Sequence, residues 1–280
     1  MKPRIHTYIF IRYSVLVKST AWSISKDKDF DRYKKKLFSE ERLYFREKLF
    51  TDLTLESLKN QKTSADLDEY KVVLITSKYL PSPFIDNIET LSNKYNFLEI
   101  LQIDENTGIS DAINDHLEKK FRKLKQKIHY ATVRLDDDDA LHKNFLINLM
   151  KYINPSFSNY IISFPLGIEA NYASDIKAIN KCIKINYPKI AAGLAHIGSY
   201  DGENGGFQEK CNNIHQAGNH VKVDVKHPMV LDHTNITYLR LGHEHQDGGI
   251  TKGKKENEIG KKELLANFSL PEDYVKLSKE

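Results

Sequence analysis

The chain of 280 residues has only two cysteines, Cys182 and Cys211, and no Cys-x-x-Cys pair. That excludes a disulfide framework and a zinc cluster, and it fits a reducing compartment. Long hydrophobic runs are also missing. No window approaches the roughly 18 uncharged apolar residues that a membrane-spanning helix needs. The Asn235-Ile236-Thr237 sequon therefore carries no glycosylation meaning. The apolar run 6–17 is broken by Arg12 and lacks a cleavage-site pattern, so it reads as a first core strand and not as a signal peptide. A large excess of either charge is missing as well. Against 38 acidic residues stand 42 basic ones, and a net +4 does not by itself argue for a polynucleotide partner. There is no internal repeat. With 40% apolar and 29% charged residues, the chain can build one large α/β domain or two small ones with a well-solvated surface.

Strand and helix patterns alternate through the first half. Residues 7–15 form a β-branched and aromatic run that reads as a strand. Residues 40–61 place Leu43, Leu49, Leu53 and Leu58, with Phe45 and Phe50, at helical spacing. Residues 71–77 and 97–103 are strands, and a helix led by Pro81 and Pro83 lies between them. Residues 109–126 are helical, with Ile113, Leu117, Phe121 and Leu124 on one face. Residues 131–135 form a fourth strand, and residues 139–153 a helix. Such repeated units imply a mostly parallel sheet flanked by helices, whose ligands bind beyond the carboxyl ends of the strands. After Pro155 the pattern shifts to short strands at 160–165, 191–197, 221–225 and 229–231, with a turn-rich loop at 199–206.

Four consecutive aspartates, Asp136 to Asp139, follow the fourth strand. Like charges at about 4 Å cost about 1 kcal/mol in water and about 4 near a protein surface, so something must offset them. A divalent cation is the cheapest candidate. Asp136 and Asp138 can converge in an extended segment, and hard carboxylate oxygens suit Mg²⁺ or Mn²⁺ with a substrate phosphate completing the shell. The bland alternative is a solvated turn that caps the next helix.

The segment Arg134-Leu135-Asp136-Asp137-Asp138-Asp139-Ala140-Leu141 resembles the Asp-x-Asp signature of GT-A fold glycosyltransferases. More closely, it is similar to the rhamnosyltransferase family of bacterial polysaccharide clusters. Arg12-Tyr13-Ser14-Val15, Arg42-Leu43-Tyr44-Phe45 with Ser57-Leu58 and Gln61, and the stretch Pro228 to Asn235 resemble three further segments of that family. Val230 stands where the family has a tryptophan before its late histidine.

The resemblance implies a GT-A-like, Rossmann-like domain over 1–245, with a nucleotide-sugar-binding half (1–155), an α+β acceptor-binding half (156–245) and a polar tail (246–280). It implies metal-dependent transfer of a sugar from a UDP-, dTDP- or GDP-sugar to a bacterial surface polysaccharide, capsule or lipopolysaccharide, by way of a glycan or lipid-linked glycan acceptor. Carried over by residue, Asp136 and Asp137 contact the nucleotide, Arg12 a phosphate, and Asp138, Asp139 and His233 the Mn²⁺ or Mg²⁺ ion. An inverting reaction also needs a base, for which Glu169, Asp201, Glu203 and Glu209 are candidates. The expected location is the cytoplasm, with peripheral contact at the inner membrane through the basic face of helix 109–127. That face reads equally as a solvated surface.

Two other classes compete. His243, His245 and Asp247 match part of a metallo-hydrolase motif whose following histidine is missing. The basic helix 109–127 would serve a non-enzymatic nucleic-acid-binding module, but no nucleic-acid motif accompanies it and the aspartates would repel phosphate.

Overall fold

Parallel strands covered on both faces are apolar throughout, and strand β1 (Arg4–Tyr13) shows it: Tyr8 to Ile11 are fully buried. The computed structural model describes residues 2–18, 29–203, 205–244 and 257–278. After β1 come α1 (Phe30–Leu37) and α2 (Glu40–Leu49), the latter running through a π-helical turn (Phe50–Thr54) into α3 (Leu55–Lys59). Next are β2 (Glu69–Ser77), α4 (Phe84–Lys94), β3 (Leu98–Ile103), α5 (Ile109–Phe121) and β4 (Lys127–Asp136). The second half contains β5 (Ala140–Leu141), α6 (Phe145–Met150), β6 (Ile161–Ser163), β7 (Leu166–Ala173), β8 (Ala178–Asn186) and β9 (Leu194–Asp201). It closes with β10 (Gly206–Phe207), a 3₁₀ turn (His220–Val225), β11 (Met229–Leu231), β12 (Tyr238–Gly242) and α7 (Lys261–Asn267).

The main sheet has the order β11-β6-β9-β4-β1-β2-β3, with β10 on β9. Strands β3, β2, β1 and β4 are mutually parallel, whereas β9 runs antiparallel to both β4 and β6. This is the mostly parallel, helix-flanked sheet expected of a GT-A-like chain. One face buries α4 and α6 through Phe84, Ile88, Phe145 and Leu149, and the other buries α5 through Ile113, Leu117 and Phe121.

A second sheet, β5-β12-β7-β8, lies beyond the aspartate run and was not expected. Gly167 on β7 is required there, because a Cβ would stand 2.2 Å from the Tyr238 ring. The expected helix 139–153 is shorter. Its first residues form β5 against β12, and α6 starts only at Phe145. Residues 221–225 are 3₁₀, not strand. The stretch 257–278, expected within a polar tail, instead adds Ile259, Leu264, Phe268, Tyr274 and Val275 to the core behind the second sheet.

His196 on β9 is fully buried, and neither ring nitrogen has a hydrogen-bond partner. Burial, aided by nearby His227, holds its pKa at about 3 against an ordinary 6.5. The folded state thus resists protonation that the unfolded chain accepts. Stability is intact above pH 6.5 and falls as the pH drops from 6.5 toward 3, by about 1.4 kcal/mol per unit from this group. His196→Leu removes an unpartnered polar group and should leave stability at pH 7 unchanged or higher. In urea denaturation at stepped pH, the variant should show a shallower loss between pH 6.5 and 3.

Candidate active site

β4 delivers the aspartates at its carboxyl end, and each carboxylate meets a different environment. Asp136 is the register partner of Arg12 on β1 and accepts from its guanidinium at 2.8 Å. Arg134 stands 3.7 Å from the same oxygen. Burial works against ionisation of Asp136, but Arg12 and Arg134 outweigh it and hold the carboxyl far below its usual range. Asp137, 1% exposed, has both oxygens taken by the Arg46 fork. Asp138 Oδ2 accepts from Arg46 at 2.6 Å and lies 2.8 Å from His243 Nε2. Burial opposes its charge, yet Arg46 and His243 keep its carboxyl low. Asp139 accepts from the Leu241 amide at 3.2 Å, and burial followed by the charges of Asp138 and Asp136 pushes its pKa well up, favouring the neutral acid.

The repulsion within the run is offset by Arg12, Arg46 and Arg134, and at Asp139 what remains of it raises the carboxyl's pKa. It does not by itself demand a metal. A cation site is better judged by its donors. Among the described residues no three His, Cys, Asp or Glu side chains converge as a metal cage. The His243–Asp138 pair still fits, because atoms occupying adjacent positions on an ion with bonds of about 2.1 Å stand about 3 Å apart. Hard cations commonly take one or two protein ligands and complete their shell with phosphate and water.

Arg46 is marked by no motif, but its spacing gives it away. It lies three residues from both Leu43 and Leu49, on the buried stripe of α2. A charged residue on such a stripe needs a buried partner, and the aspartates provide it. At the end of β1, Ser14 adopts φ 48°, a left-handed conformation, and its hydroxyl accepts from Arg42 at 3.2 Å. Strain of this kind in a non-glycine residue concentrates at functional sites.

Several expected site residues lie elsewhere. His233 is exposed two residues beyond β11, the edge strand three places from β4 in the sheet order, and among the described residues it makes no contact with the aspartates. It does not join the aspartates; His243 does, carried there by β12. Asp137 is 1% exposed and turned onto Arg46, which donates to both of its oxygens, so burial closes it to a nucleotide. Asp201 pairs with Lys127 at the amino end of β4, a strand length of about 30 Å from Asp136. Glu203 follows it in the same turn, its amide bonded to Asp201 at 3.0 Å. Glu209 is engaged by Ser158 and by the Ser199 amide and hydroxyl, and Ser199 pairs with His129, again toward that far end. None of these three can serve a reaction at the aspartates. Glu169 is nearer. It is buried on β7 and holds Arg240 at 2.8 Å, one residue before the Leu241 that bonds Asp139. The basic stretch after Glu118 likewise leads into the amino end of β4, away from the aspartates. His245 and Asp247, members of the hydrolase-like motif, lie outside the described residues.

The sequence model of the family described as putative rhamnosyl transferase matches residues 7–255. No curated protein matches the chain significantly. Among solved structures, S. aureus TarS 1–349 in complex with UDP-GlcNAc is similar at TM-score 0.44 and 13% identity, over 86% of this chain and 60% of that one. The same TarS fragment in complex with UDP gives TM-score 0.41 and 12% identity, over 85% and 60%. A putative glucose-1-phosphate thymidylyltransferase from Bacillus anthracis gives 0.34 and 10%, over 84% and 88%. The chain thus spans 60% of the length of the TarS fragment it matches.

Removing Arg46 strands two buried carboxylates. Arg46→Met should lower stability at pH 7 by about 3–5 kcal/mol, as expected for breaking a buried ion pair from one side. Adding Asp137→Asn should recover part of that loss. Guanidinium denaturation of the single and double variants measures both effects.

Proposed function

The chain belongs to the putative rhamnosyl transferase family, and we propose that it is a glycosyltransferase using a nucleotide-sugar donor and a bacterial surface glycan, free or lipid-linked, as acceptor. The observation that carries this reading is the Asp138–His243 pair at the carboxyl end of β4, 2.8 Å apart and backed by arginines. Strand ends in such sheets are where ligands bind. Glycosyl transfer leaves a diphosphate on which negative charge grows, and the site meets that charge with preorganised positive groups.

In this reading Asp138 and His243 would hold a Mn²⁺ or Mg²⁺ ion, which would supply Lewis-acid stabilisation to a departing diphosphate. Arg46 orients Asp138 and neutralises Asp137. Asp139 anchors β12 through the Leu241 amide and so sets the approach of His243. The donor nucleoside lies toward β1 and the acceptor toward β9, β6 and the second sheet. Of the four candidate bases only Glu169 remains near the site, and a base role would require Arg240 to release it. Among the described residues no helix is long and apolar enough to cross a membrane. A cytoplasmic location agrees with two free, buried cysteines.

A thermal-shift panel of UDP-, dTDP- and GDP-sugars with Mn²⁺ or with chelator tests the reading. One donor class should stabilise the protein with Mn²⁺ and much less with chelator; saturation at 100 times Kd corresponds to about 2.7 kcal/mol. Asp138→Asn and His243→Ala should each weaken the metal-dependent component tenfold or more. His233→Ala should leave it unchanged. A panel without any metal-dependent shift, or loss on His233→Ala with His243→Ala silent, would sink the assignment.

A further inference from the structure

We propose that Phe45 and Tyr172 are positioning residues that hold the His243 ring against Asp138, and that the segment 257–278 completes their support through Tyr274. The need for support comes from the sheet. The β7–β12 ladder ends with Gly242 opposite Asn171, one residue short of His243. The imidazole is therefore placed by what packs against it, and not by the ladder. Yet its Nε2 stands 2.8 Å from Asp138 Oδ2, a contact that needs a fixed ring.

The packing is specific. Leu239, Leu241 and His243 alternate onto one face of β12, and Ile168, Ala170 and Tyr172 continue that face on β7. α2 covers it. The Phe45 and His243 rings lie 5.0 Å apart between centroids, tilted by 55°. Phe45 meets Tyr172 edge-on at 5.9 Å. Tyr172 meets Tyr274, which ends a 3₁₀ turn (Glu272–Tyr274), at 5.5 Å. Lys48 Nζ sits over the Tyr274 ring at 5.3 Å and brings the series back to α2. The result is a closed circuit of α2, β7, the C-terminal segment and α2 again, with Tyr172, Tyr274 and His243 all buried.

Aromatic rings at these separations prefer particular tilts, so the circuit fixes orientation as well as burying area. Adjacent residues of α2 then hold the two members of one pair: Arg46 donates to Asp138 at 2.6 Å, and Phe45 packs on His243. The segment 257–278 lies beyond residues 7–255, which the family model matches, so this part of the support is not specified by the family pattern. The consequence for a cation rests on the reading that Asp138 and His243 hold one; the ring support does not. Groups that orient a ligating imidazole typically govern metal affinity by about ten- to a hundredfold.

Two measurements on the full chain test the proposal. In EDTA, the ring-nitrogen NMR signals of His243, identified by their loss in His243→Ala, report its contact with Asp138. They should move toward their positions in Asp138→Asn when Phe45, Tyr172 or Tyr274 is replaced by Leu, and stay in place in Tyr172→Phe, which keeps the ring. Titration with Mn²⁺ alone, read by the EPR signal of the free ion, should show affinity falling tenfold or more in Phe45→Leu and less in Tyr274→Leu. Ile168→Val thins the same core four residues along β7 from Tyr172. It should lower the melting temperature and move neither readout, which separates positioning from general stability. If Phe45→Leu does not fold, Tyr274→Leu, which ends the series, carries the same test. Unmoved His243 signals in the folded Leu variants would overturn the proposal. Moved signals together with no Mn²⁺ binding by the wild-type protein would instead support the ring circuit and remove the cation reading.

Discussion

Three guanidiniums gathered around one carboxylate run are the constraint on which this structure turns. Arg12 comes from β1, Arg46 from α2 and Arg134 from β4 itself, and each reaches at least one aspartate. Without them the end of β4 would carry like charges in a closed setting, where repulsion is several times what it is in water. With them the run can lie buried, and a buried run has fixed geometry. Asp137 serves only Arg46. Asp138 is left facing His243, and Asp139 turns inward to bond β12. Four identical residues thereby acquire different tasks from their surroundings alone.

The same arrangement explains how the two sheets are joined. The aspartate turn is the point where the chain leaves the main sheet, and β5 follows it at once into the second sheet beside β12. The Leu241–Asp139 bond and the His243–Asp138 contact therefore tie the end of the main sheet to the second sheet.

Much of the first half was legible because its signals are local. The runs at 71–77 and 131–135 are apolar and bounded by polar or turn residues, and the stripe Ile113, Leu117, Phe121 has helical spacing. The position of the aspartates at a strand end followed from that. The second half was less legible for the opposite reason. The run 139–153 has helical spacing, but its start is drawn into β5 by a partner about a hundred residues downstream. His243 sits in a His-x-His-x-Asp string, so its local neighbours suggested one chemistry while its spatial neighbour is Asp138. His233 carried the family-like pattern, but a parallel pairing with β6 places its strand at the edge of the main sheet. Arg46 was readable in principle, as a charge on a core-facing helical stripe, but nothing local said which acid it would meet.

The half-buried Glu169–Arg240 pair has a consequence for how this chain proofreads its own assembly. The two residues are register partners on β7 and β12. Side chains alternate faces along a strand, so a slip of one residue would turn Arg240 to the other face and leave Glu169 buried without its counter-charge. The same slip would turn His243 away from Asp138. A misaligned β12 would thus forfeit the Glu169–Arg240 ion pair and the His243–Asp138 contact in one move. The pair acts as a ratchet tooth: only the register that completes the site is also the register that the second sheet can hold.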